Sequence, residues 1–287
     1  MEYKILTPEQ YPAQLREIPH IPKQLYVEGN LPPEDTVYLS IVGSRRHTNY
    51  GKDVCRKLIE GLKGYPIIIV SGLALGIDTL AHETALAVGL TTVAFPGSGI
   101  DRKVLYPASN RRLADRIIES GGALISEFAP TFRATIWSFP QRNRIMAGIS
   151  KAVLIIEAEE KSGTLITARL ATDYNRDVLV VPGQIFSDTS IGTNTLIRQG
   201  ATPIRDSSDI LEALGFDIST QNTESKKESY ENLSNEEKQV LEILRDPCER
   251  DTLISKLEMS VPQANALLSI MEIKGLIKEE LGELRIS

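Results

Sequence analysis

The sequence predicts an α/β fold with a doubly wound, mostly parallel sheet, followed by a small C-terminal domain of helices and one hairpin. Aliphatic runs without polar alternation recur between residues 37 and 181, as in parallel strands that are buried on both faces. Four of these runs end abruptly at turns that contain glycine: VYLSIVGSRR, IIIVSGLALGID, TTVAFPGSGID and VLVVPG. Because parallel strands end along one edge of a sheet, we expect these turns to form a common ligand site there.

Strands and helices alternate through this region, which is the pattern of βα units. The segment from Tyr50 to Lys63, for example, places Val54, Leu58 and Leu62 at helical spacing. The predicted strands are Val37–Val42, Ile67–Val70, Thr92–Phe95, Ala123–Ser126, Ala152–Glu157 and Asp177–Val181. The predicted helices are Tyr50–Lys63, Asp78–Val88, Ala108–Ser120 and Thr164–Tyr174, with short ones near Thr193–Gln199 and Ser208–Leu214.

Composition divides the chain into four parts. Residues 1–36 are rich in proline, which excludes a long helix, and are expected to form a leader packed on the core. Residues 37–215 form the α/β domain, and residues 216–231 are polar and charged, as in a linker. Residues 232–287 begin with the capping-box pair Ser234 and Glu237 and continue as three helices and a hairpin, the order of a winged-helix domain.

The charge distribution limits where nucleic acid can bind. The 287-residue chain has a formal net charge of −6, but residues 38–215 hold 20 basic and 17 acidic side chains, whereas both flanks are acidic. Lysine and arginine supply the sequence-independent affinity for DNA, so only the middle segment is a plausible DNA surface. No uncharged run reaches the ~18 residues of a membrane span, and no signal peptide is recognisable. The two cysteines lack metal spacing, so we expect a cytoplasmic protein with reduced thiols and no membrane partner.

Arginine and aromatic side chains are interleaved at the expected site. Arg45 and Arg46 directly follow the first predicted strand, and the stretch IWSFPQRNRI sets Phe139 beside Arg142 and Arg144. Guanidinium groups bind phosphate and aromatic rings stack on unpaired bases, so these residues suit a groove for single-stranded DNA. Two plainer interpretations remain open: the glycines only make tight turns, and the arginines form a surface ion-pair cluster over aromatic core residues.

The sequence offers little for catalysis. It has neither a P-loop nor a dinucleotide-binding fingerprint, and its three histidines make no metal-binding pair, so we expect no cofactor and no metal ion. Asp78 and His82 are one helical turn apart, where they can form an acid–base pair or, as we favour, a structural hydrogen bond. No serine lies in a nucleophile elbow. We therefore expect a binding protein without enzymatic turnover.

Long motifs across residues 37–214 resemble the DNA-processing protein A family, also called DprA or Smf. They are GSR at 43–45, SGLALGIDTLAH at 71–82, YPxxN at 106–110, FPQRNRIMAGIS at 139–150, SGTLITA at 162–168 and GTNTLIRQGA at 192–201. The resemblance implies an extended Rossmann-like fold, binding of single-stranded DNA and a homodimer. It further implies a recombination mediator that protects incoming single strands and loads the RecA recombinase during natural transformation.

The resemblance also implies the site residues. Arg45 would grip a backbone phosphate, and Phe139 would stack on a base, with further phosphate contacts from Arg142 and Arg144. The complete expected DNA-binding set is Gly43, Ser44, Arg45, Ser71, Gly72, Gly97, Lys103, Asn110, Arg111, Phe139, Arg142, Asn143, Arg144, Ser162, Gly163 and Thr164. Where the family often carries lysine after the proline of YPxxN, this chain has Ala108. A phosphate contact is therefore either missing or supplied by Lys103 and Arg111 nearby.

Two alternatives accompany this interpretation. LOG-type phosphoribohydrolases have a related fold with glycine-rich turns, but the glutamate of their PGGxGTxxE motif is missing from SGTLITARL. A transcription regulator would need a basic reading helix, whereas residues 261–274 carry only Lys274 against Glu272. Residues 232–287 hold 7 basic and 11 acidic groups, which favours contact of the winged helix with protein, or with a second subunit, over binding to duplex DNA.

Overall fold

The computed structural model describes residues 2–31, 33, 36–217, 233–244, 248–257, 259–280 and 283–286. The chain divides into two compact units, Met1–Asp217 and Ile218–Ser287. Of the predicted linker, residues 218–231 lie outside the described residues.

Nine strands of the first unit, within residues 2–217 as described, form one sheet in the order β1-β2-β6-β5-β4-β3-β7-β8-β9. The strands from β3 onward pair in parallel, whereas β2 is antiparallel to both β1 and β6, which confirms a mostly parallel sheet. Their bounds are β1 Lys4–Leu6, β2 Leu25–Gly29, β3 Val37–Val42, β4 Ile67–Ser71, β5 Thr92–Ala94, β6 Ala123–Ser126, β7 Ala152–Ile155, β8 Asp177–Val180 and β9 Thr202–Pro203.

Helices lie between the successive parallel strands, as the alternating pattern predicted, with one more between β1 and β2 and one after β9. They are α1 Ala13–Arg16, α2 Asn49–Glu60, α3 Ile77–Val88, α4 Arg111–Glu119, α5 Ser138–Ile149, α6 Thr164–Asp173, α7 Asp188–Arg198 and α8 Ser207–Ala213. The central strands are apolar on both faces because helices cover both faces: all five residues of β4 are buried. Each such aliphatic side chain contributes about 1.5–3 kcal/mol by leaving water.

The proline-rich N-terminal residues contribute two strands to the sheet. Two short segments of this proline-rich stretch, β1 and β2, extend the sheet beyond β6. Alternation within LYVEG buries Leu25 and Val27 on the same face, the pattern of a strand with one covered side. Tyr11 is also buried, and its hydroxyl donates to the carbonyl of Leu6, which fastens the intervening turn.

Two helices of the first unit differ from the sequence prediction. Helix α5 spans the FPQRNRI stretch, to which no secondary structure was assigned. Its Pro140 lies in the first turn, where a backbone N–H has no acceptor within the helix, so the missing N–H of proline costs no helical hydrogen bond. Helix α7 begins at Asp188, five residues before the predicted start at Thr193. The early residues of α7 are polar, so hydrophobic spacing did not reveal them.

The second unit contains three helices and a hairpin among its described residues, as predicted for a winged helix. The elements are α9 Asn235–Ile243, α10 Arg250–Lys256, α11 Val261–Ile273, β10 Ile277–Glu280 and β11 Glu283–Ile286. Ser234 and Glu237 form the predicted capping box at the start of α9. Val240, Leu253 and Leu268 are fully buried and form the centre of this unit's own core.

The described residues include no group of histidine, cysteine and carboxylate side chains able to hold a metal ion. Within the same residues, every helix is too short or too polar to cross a membrane. Both cysteines are free thiols; Cys55 is buried, and burial raises its pKa to about 12.

Candidate nucleic-acid interface

The sheet reverses its direction of winding at β3, which lies between β4 and β7. Open α/β sheets bind ligands outside the carboxyl ends of the strands at such a point. An open cavity of about 380 Å³ lies there, and we call it the strand-end cavity. Four segments line it: residues 42–46 at the end of β3, residues 74–78 at the start of α3, residues 139–146 of α5, and residues 159–167 around the start of α6.

Arg45 and Phe139 meet at this cavity. The guanidinium carbon of Arg45 lies 5.2 Å from the centroid of the Phe139 ring. Arg45 is exposed, and a cation held over a ring at an exposed site gains about 0.5–1 kcal/mol. The contact presents a positive charge and an aromatic ring together, which are the two groups that bind a phosphate and an unpaired base.

Two glycines make room for the side chains that build the cavity. A Cβ atom at Gly97 would lie 2.5 Å from Cδ1 of Phe139, and one at Gly72 would lie 2.5 Å from Nη1 of Arg142. Real Cβ atoms essentially never make such contacts. The glycines in the turns after β4 and β5 are therefore needed for close approach of α5.

Arg142 lies inside the protein, only 5% exposed. Its Nη1 donates to the carbonyl of Gly72 at 2.5 Å and to the carbonyl of Phe95, and its Nε donates to Oδ1 of Asn143. Burial lowers the pKa of Arg142 to about 10, which leaves the guanidinium charged at neutral pH. Arg142 therefore ties the ends of β4 and β5 to α5, and its Nη1 is occupied by protein carbonyls.

Asp78, at the start of α3, is the carboxylate that faces this buried arginine. Its Oδ2 accepts hydrogen bonds from the N–H groups of Gly72 at 3.1 Å and Ala74 at 3.3 Å. Burial raises the pKa of Asp78, and the charge of Arg142 and the two N–H groups oppose that rise. The carboxylate fixes the glycine turn after β4 and balances the charge of Arg142.

The start of α6 forms the other side of the cavity. Ser162, Gly163 and Thr164 line it, and Oγ of Ser162 accepts a hydrogen bond from the N–H of Thr164 at 3.2 Å. A helix start carries partial positive charge and N–H groups that have no partner within the helix. Together with Arg45 and Arg46, this end of the cavity suits an anion.

The structure brings nine of the expected site residues together at the strand-end cavity. They are Gly43, Ser44, Arg45, Phe139, Arg142, Asn143, Ser162, Gly163 and Thr164. Gly72 borders a smaller cavity beside it, which Arg45, Phe139 and Tyr106 also line. Gly97 lies under the Phe139 ring, and Ser71 is buried, donating to the carbonyl of Ile41.

Besides Ser71 and Gly97, four expected residues lie outside both cavities. Asn110 is 6% exposed and donates to the carbonyl of Leu73, so it joins two loops from within. Arg144 pairs with Glu127 and donates to the carbonyl of His20. Lys103 is exposed, and its carbonyl accepts a hydrogen bond from Nη2 of Arg111. Asn110 and Arg144 are thus engaged by protein groups, while Lys103 presents its side chain to solvent.

Several lining residues were not in the expected set, among them the carboxylates Asp78 and Glu159, and Arg46 and Tyr106. Arg46 follows Arg45 in the loop after β3, and the adjacent arginines in the sequence were the available signal. Tyr106 is half exposed, and its ring centroid lies 5.8 Å from that of Phe139. Its place in the YPxxN motif was visible, but only the fold sets it beside a residue 33 positions later.

Asp78 and His82 do not form the hydrogen bond that we favoured. Asp78 binds the turn after β4, whereas Nδ1 of His82 lies 2.7 Å from Oγ1 of Thr92. The hydroxyl of Thr92 donates to the carbonyl of Ile69, so Nδ1 of His82 is the donor, and burial lowers the pKa of the ring to about 3. Both side chains are structural, and no acid–base pair forms.

Comparison with known proteins follows the same division of the chain. A family model described as DNA recombination-mediator protein A matches residues 3–215. A second one, described as the DprA winged helix domain, matches residues 224–283. The predicted resemblance and the C-terminal winged helix are thereby confirmed.

Curated relatives agree with these matches. Protein Smf of Escherichia coli is 41% identical over 210 residues, which are 73% of this chain and 56% of that protein. DNA processing protein DprA of Streptococcus pneumoniae is 40% identical over 206 residues, 72% of either chain. This chain therefore spans just over half the length of the Escherichia coli relative that it matches.

Solved structures show the same fold. The X-ray structure of DNA processing protein A from Streptococcus pneumoniae matches with a TM-score of 0.69 and 37% identity over 74% of each chain. A structure of DNA processing protein A from Helicobacter pylori, which concerns its single-stranded DNA binding mode, matches with a TM-score of 0.66 and 32% identity over 75% of this chain and 96% of that one. On the family match over residues 3–215 and these likenesses, this chain belongs to the DNA recombination-mediator protein A family.

Proposed function

We propose that this protein is a recombination mediator that binds single-stranded DNA in the strand-end cavity, without catalytic turnover. The observation that carries the proposal is the exposed guanidinium of Arg45 over the Phe139 ring, at the mouth of a cavity that also receives the start of α6. The charge of Arg45 and the positive end of the α6 dipole suit phosphates, and the ring suits a base. A duplex keeps its bases stacked inside, so only an unpaired strand can use both.

In this proposal the buried residues of the expected set shape the cavity and do not contact DNA. Arg142 and Asn110 hold the loops that form the cavity, and Gly72 and Gly97 allow α5 to approach. Direct contact with DNA is assigned to Arg45, Phe139 and the residues at the start of α6, with Lys103 as an outer phosphate contact. The related structure from Helicobacter pylori, which concerns single-stranded DNA binding, supports the choice of ligand.

Binding to labelled single-stranded and blunt duplex oligonucleotides over a range of salt tests the proposal. We expect tighter binding to the single strand, with affinity that falls steeply as salt rises. Arg45→Glu should lower the affinity by about tenfold or more, equivalent to ~1.4 kcal/mol. Arg169→Glu is the matched control, since Arg169 is an exposed arginine that lines a different cavity near the start of β8. Equal affinity of wild type and Arg45→Glu would contradict the site.

The mediator role and the partners are a further step of the proposal. We propose that the protein protects incoming single strands and loads the RecA recombinase during natural transformation, in the cytoplasm and as a homodimer. Recombinase nucleation should be faster on strands coated with single-strand-binding protein when this protein is added. Unchanged nucleation would refute the loading role and leave the DNA site intact. Light scattering should give twice the mass of one chain.

We propose that the winged helix contacts protein. Two of its described cations pair with carboxylates: Lys274 pairs with Glu237 at 2.6 Å, and Arg250 pairs with Glu272 and Glu279. Ile270 and Ile273, three positions apart on α11, are 49% and 86% exposed, which suits an apolar partner surface. Removal of residues 218–287 should leave affinity for single strands within about twofold, because the expected phosphate contacts lie in the first unit. Specific duplex binding that depends on these residues would contradict this assignment.

A further inference from the structure

We propose that Tyr106 is a second base-stacking platform beside Phe139, so that the protein holds two neighbouring bases of a single strand at the strand-end cavity. The inference rests on the proposed binding of single-stranded DNA and names a contact that this function leaves open. It follows from the exposure of Tyr106, its ring geometry and the way in which its loop is held.

Tyr106 borders the same surface as Arg45 and Phe139. Its ring centroid lies 5.8 Å from that of Phe139, with 59° between the ring planes. The three side chains and the half-exposed Leu75 surround a small cavity of about 20 Å³. A cation and two aromatic rings thus form a continuous strip, which we call the Arg45–Phe139–Tyr106 strip.

Tyr106 has the more open ring of the two. Phe139 is half buried, lies against Gly97, and has the guanidinium of Arg45 over its ring. Tyr106 is 50% exposed. A base can stack on Tyr106 without moving another side chain, whereas a base on Phe139 must share the ring with Arg45.

The Tyr106 loop is held from both sides. The N–H of Tyr106 donates to Oγ of Ser98 at 3.3 Å, which attaches it to the turn after β5. Four residues later, Nδ2 of Asn110 donates to the carbonyl of Leu73 at 2.9 Å and to Oγ1 of Thr79 at 2.8 Å. A platform held in place loses little conformational entropy when it binds, so more of its stacking energy contributes to affinity.

The angle between the rings predicts a base preference. Two bases stacked on each other are parallel, but the Phe139 and Tyr106 rings are inclined by 59°. Bases that lie on both rings must therefore be unstacked from each other. Stacked adenines resist this separation more than thymines do, so a strand of thymines should bind more tightly.

Three variants test the platform on oligonucleotides of thymine and of adenine. Tyr106→Leu removes the ring and keeps an apolar side chain; Tyr106→Phe keeps the ring. Tyr3→Leu is the control, because Tyr3 is 42% exposed and forms a similar ring pair with Tyr26, at 5.7 Å and 68°, on the outermost strand pair of the sheet. Tyr106→Leu should weaken binding to thymine strands by about tenfold and reduce the preference over adenine, while the other two variants bind like wild type.

Abasic oligonucleotides separate stacking from a general disturbance of the loop. A single abasic position is moved along a thymine strand, and at one place it should weaken wild-type binding about as much as Tyr106→Leu does. The abasic position and the variant together should weaken binding no more than either alone. The inference fails if Tyr106→Leu binds like wild type, or if abasic position and variant weaken binding independently. If Phe139→Leu and Arg45→Glu still weaken binding in that case, the proposed function stands; if no variant of the strip matters, the proposed site fails as well.

Discussion

The guanidinium carbon of Arg45 lies 5.2 Å from the centroid of the Phe139 ring, which joins the turn after β3 to the first turn of α5. These residues are 94 positions apart in the sequence, and three parallel crossovers, from β3 through β4 and β5 to β6, lie between them. The ring holds the cation at the mouth of the strand-end cavity before any ligand arrives. Affinity for DNA should therefore depend on the ring as much as on the charge.

Replacement of the ring tests this dependence. Phe139→Leu should weaken binding to single strands by about tenfold, because a stacking face worth ~1–3 kcal/mol is lost and Arg45 loses its support. Arg45→Lys keeps the charge but not the planar guanidinium group, so it should lower the affinity for single strands less than Arg45→Glu does. Fluorescence anisotropy measures all three variants, and full affinity in Phe139→Leu would show that the ring is only part of the core.

Gly97 should be required for the position of the Phe139 ring. Gly97→Ala places a Cβ atom 2.5 Å from Cδ1 of that ring, so the ring must move away from the turn after β5. We expect weaker binding to single strands at a cost in stability of about 1–3 kcal/mol, the usual range for overpacking. Gly61→Ala serves as the control because a Cβ atom there would crowd Oγ of Ser207 at 2.1 Å, outside the strand-end cavity. Binding assays and urea unfolding of the two variants check this, and equal affinity would contradict it.

Arg142 should matter for stability more than Arg45 does. Arg142→Met would leave the buried Asp78 carboxylate without its facing cation and remove a donor from the carbonyls of Gly72 and Phe95. Breaking a buried charge pair in this way costs about 3–5 kcal/mol. Arg45→Ala, at an exposed position, should change the free energy of unfolding by at most about 1 kcal/mol, the value of its contact with the Phe139 ring. Denaturant unfolding that gives equal values for both variants would refute this division of roles.

His82 should make the protein less stable at acid pH. Burial lowers its pKa to about 3, with a smaller contribution from the charge of Arg142, while the Ser71 carbonyl opposes the change. Since the folded pKa lies below the unfolded value of about 6.5, stability is full above pH 6.5 and is lost as the pH falls from there toward 3.

His82→Gln isolates this effect from that of the carboxylates. The difference in unfolding free energy between wild type and variant should change by up to about 1.4 kcal/mol per pH unit between pH 6 and 4. Urea unfolding at several pH values measures it. A difference that is constant across that interval would mean that the imidazole is protonated in the folded protein.

Ala108 marks a place where a phosphate contact can be added. It is exposed and lies two residues after Tyr106, beside the Arg45–Phe139–Tyr106 strip. Ala108→Lys should tighten binding to single strands at low salt and steepen the slope of log affinity against log salt by about 0.7, the value for one added contact. Ser120→Lys, at the far end of α4, is a control for the added charge. An unchanged slope would place Ala108 outside the path of the DNA.

Local pattern predicted the elements that matter for the site. Continuous apolar runs identified β3 to β8, because strands covered on both faces have no polar alternation. The capping-box pair of Ser234 and Glu237 marked the start of α9, because those two side chains satisfy the free N–H groups of that end. The glycine turns identified the edge at which the strand-end cavity lies.

The sequence located the candidate site but did not show which of its polar side chains are buried. Arg142 and Asn110 are polar residues within site motifs, and the sequence could not show that their partners are carbonyls of distant loops. Helix α5 escaped prediction because Pro140 interrupts its start and most of its second half is apolar on every side. The burial of Arg142 and Asn110 and the formation of α5 all depend on which distant parts of the chain pack against these residues.

The sequence by itself determined the fold class, the edge of the sheet that carries the site and the family, because each is recorded in residues that are close together along the chain. Only the tertiary structure decided which arginine is exposed and which is buried, and that Tyr106 lies beside Phe139. The physical reason is that the strand order, with β3 between β4 and β7, sets which loops meet. That order is fixed by packing over the whole core, and no short stretch of sequence contains it.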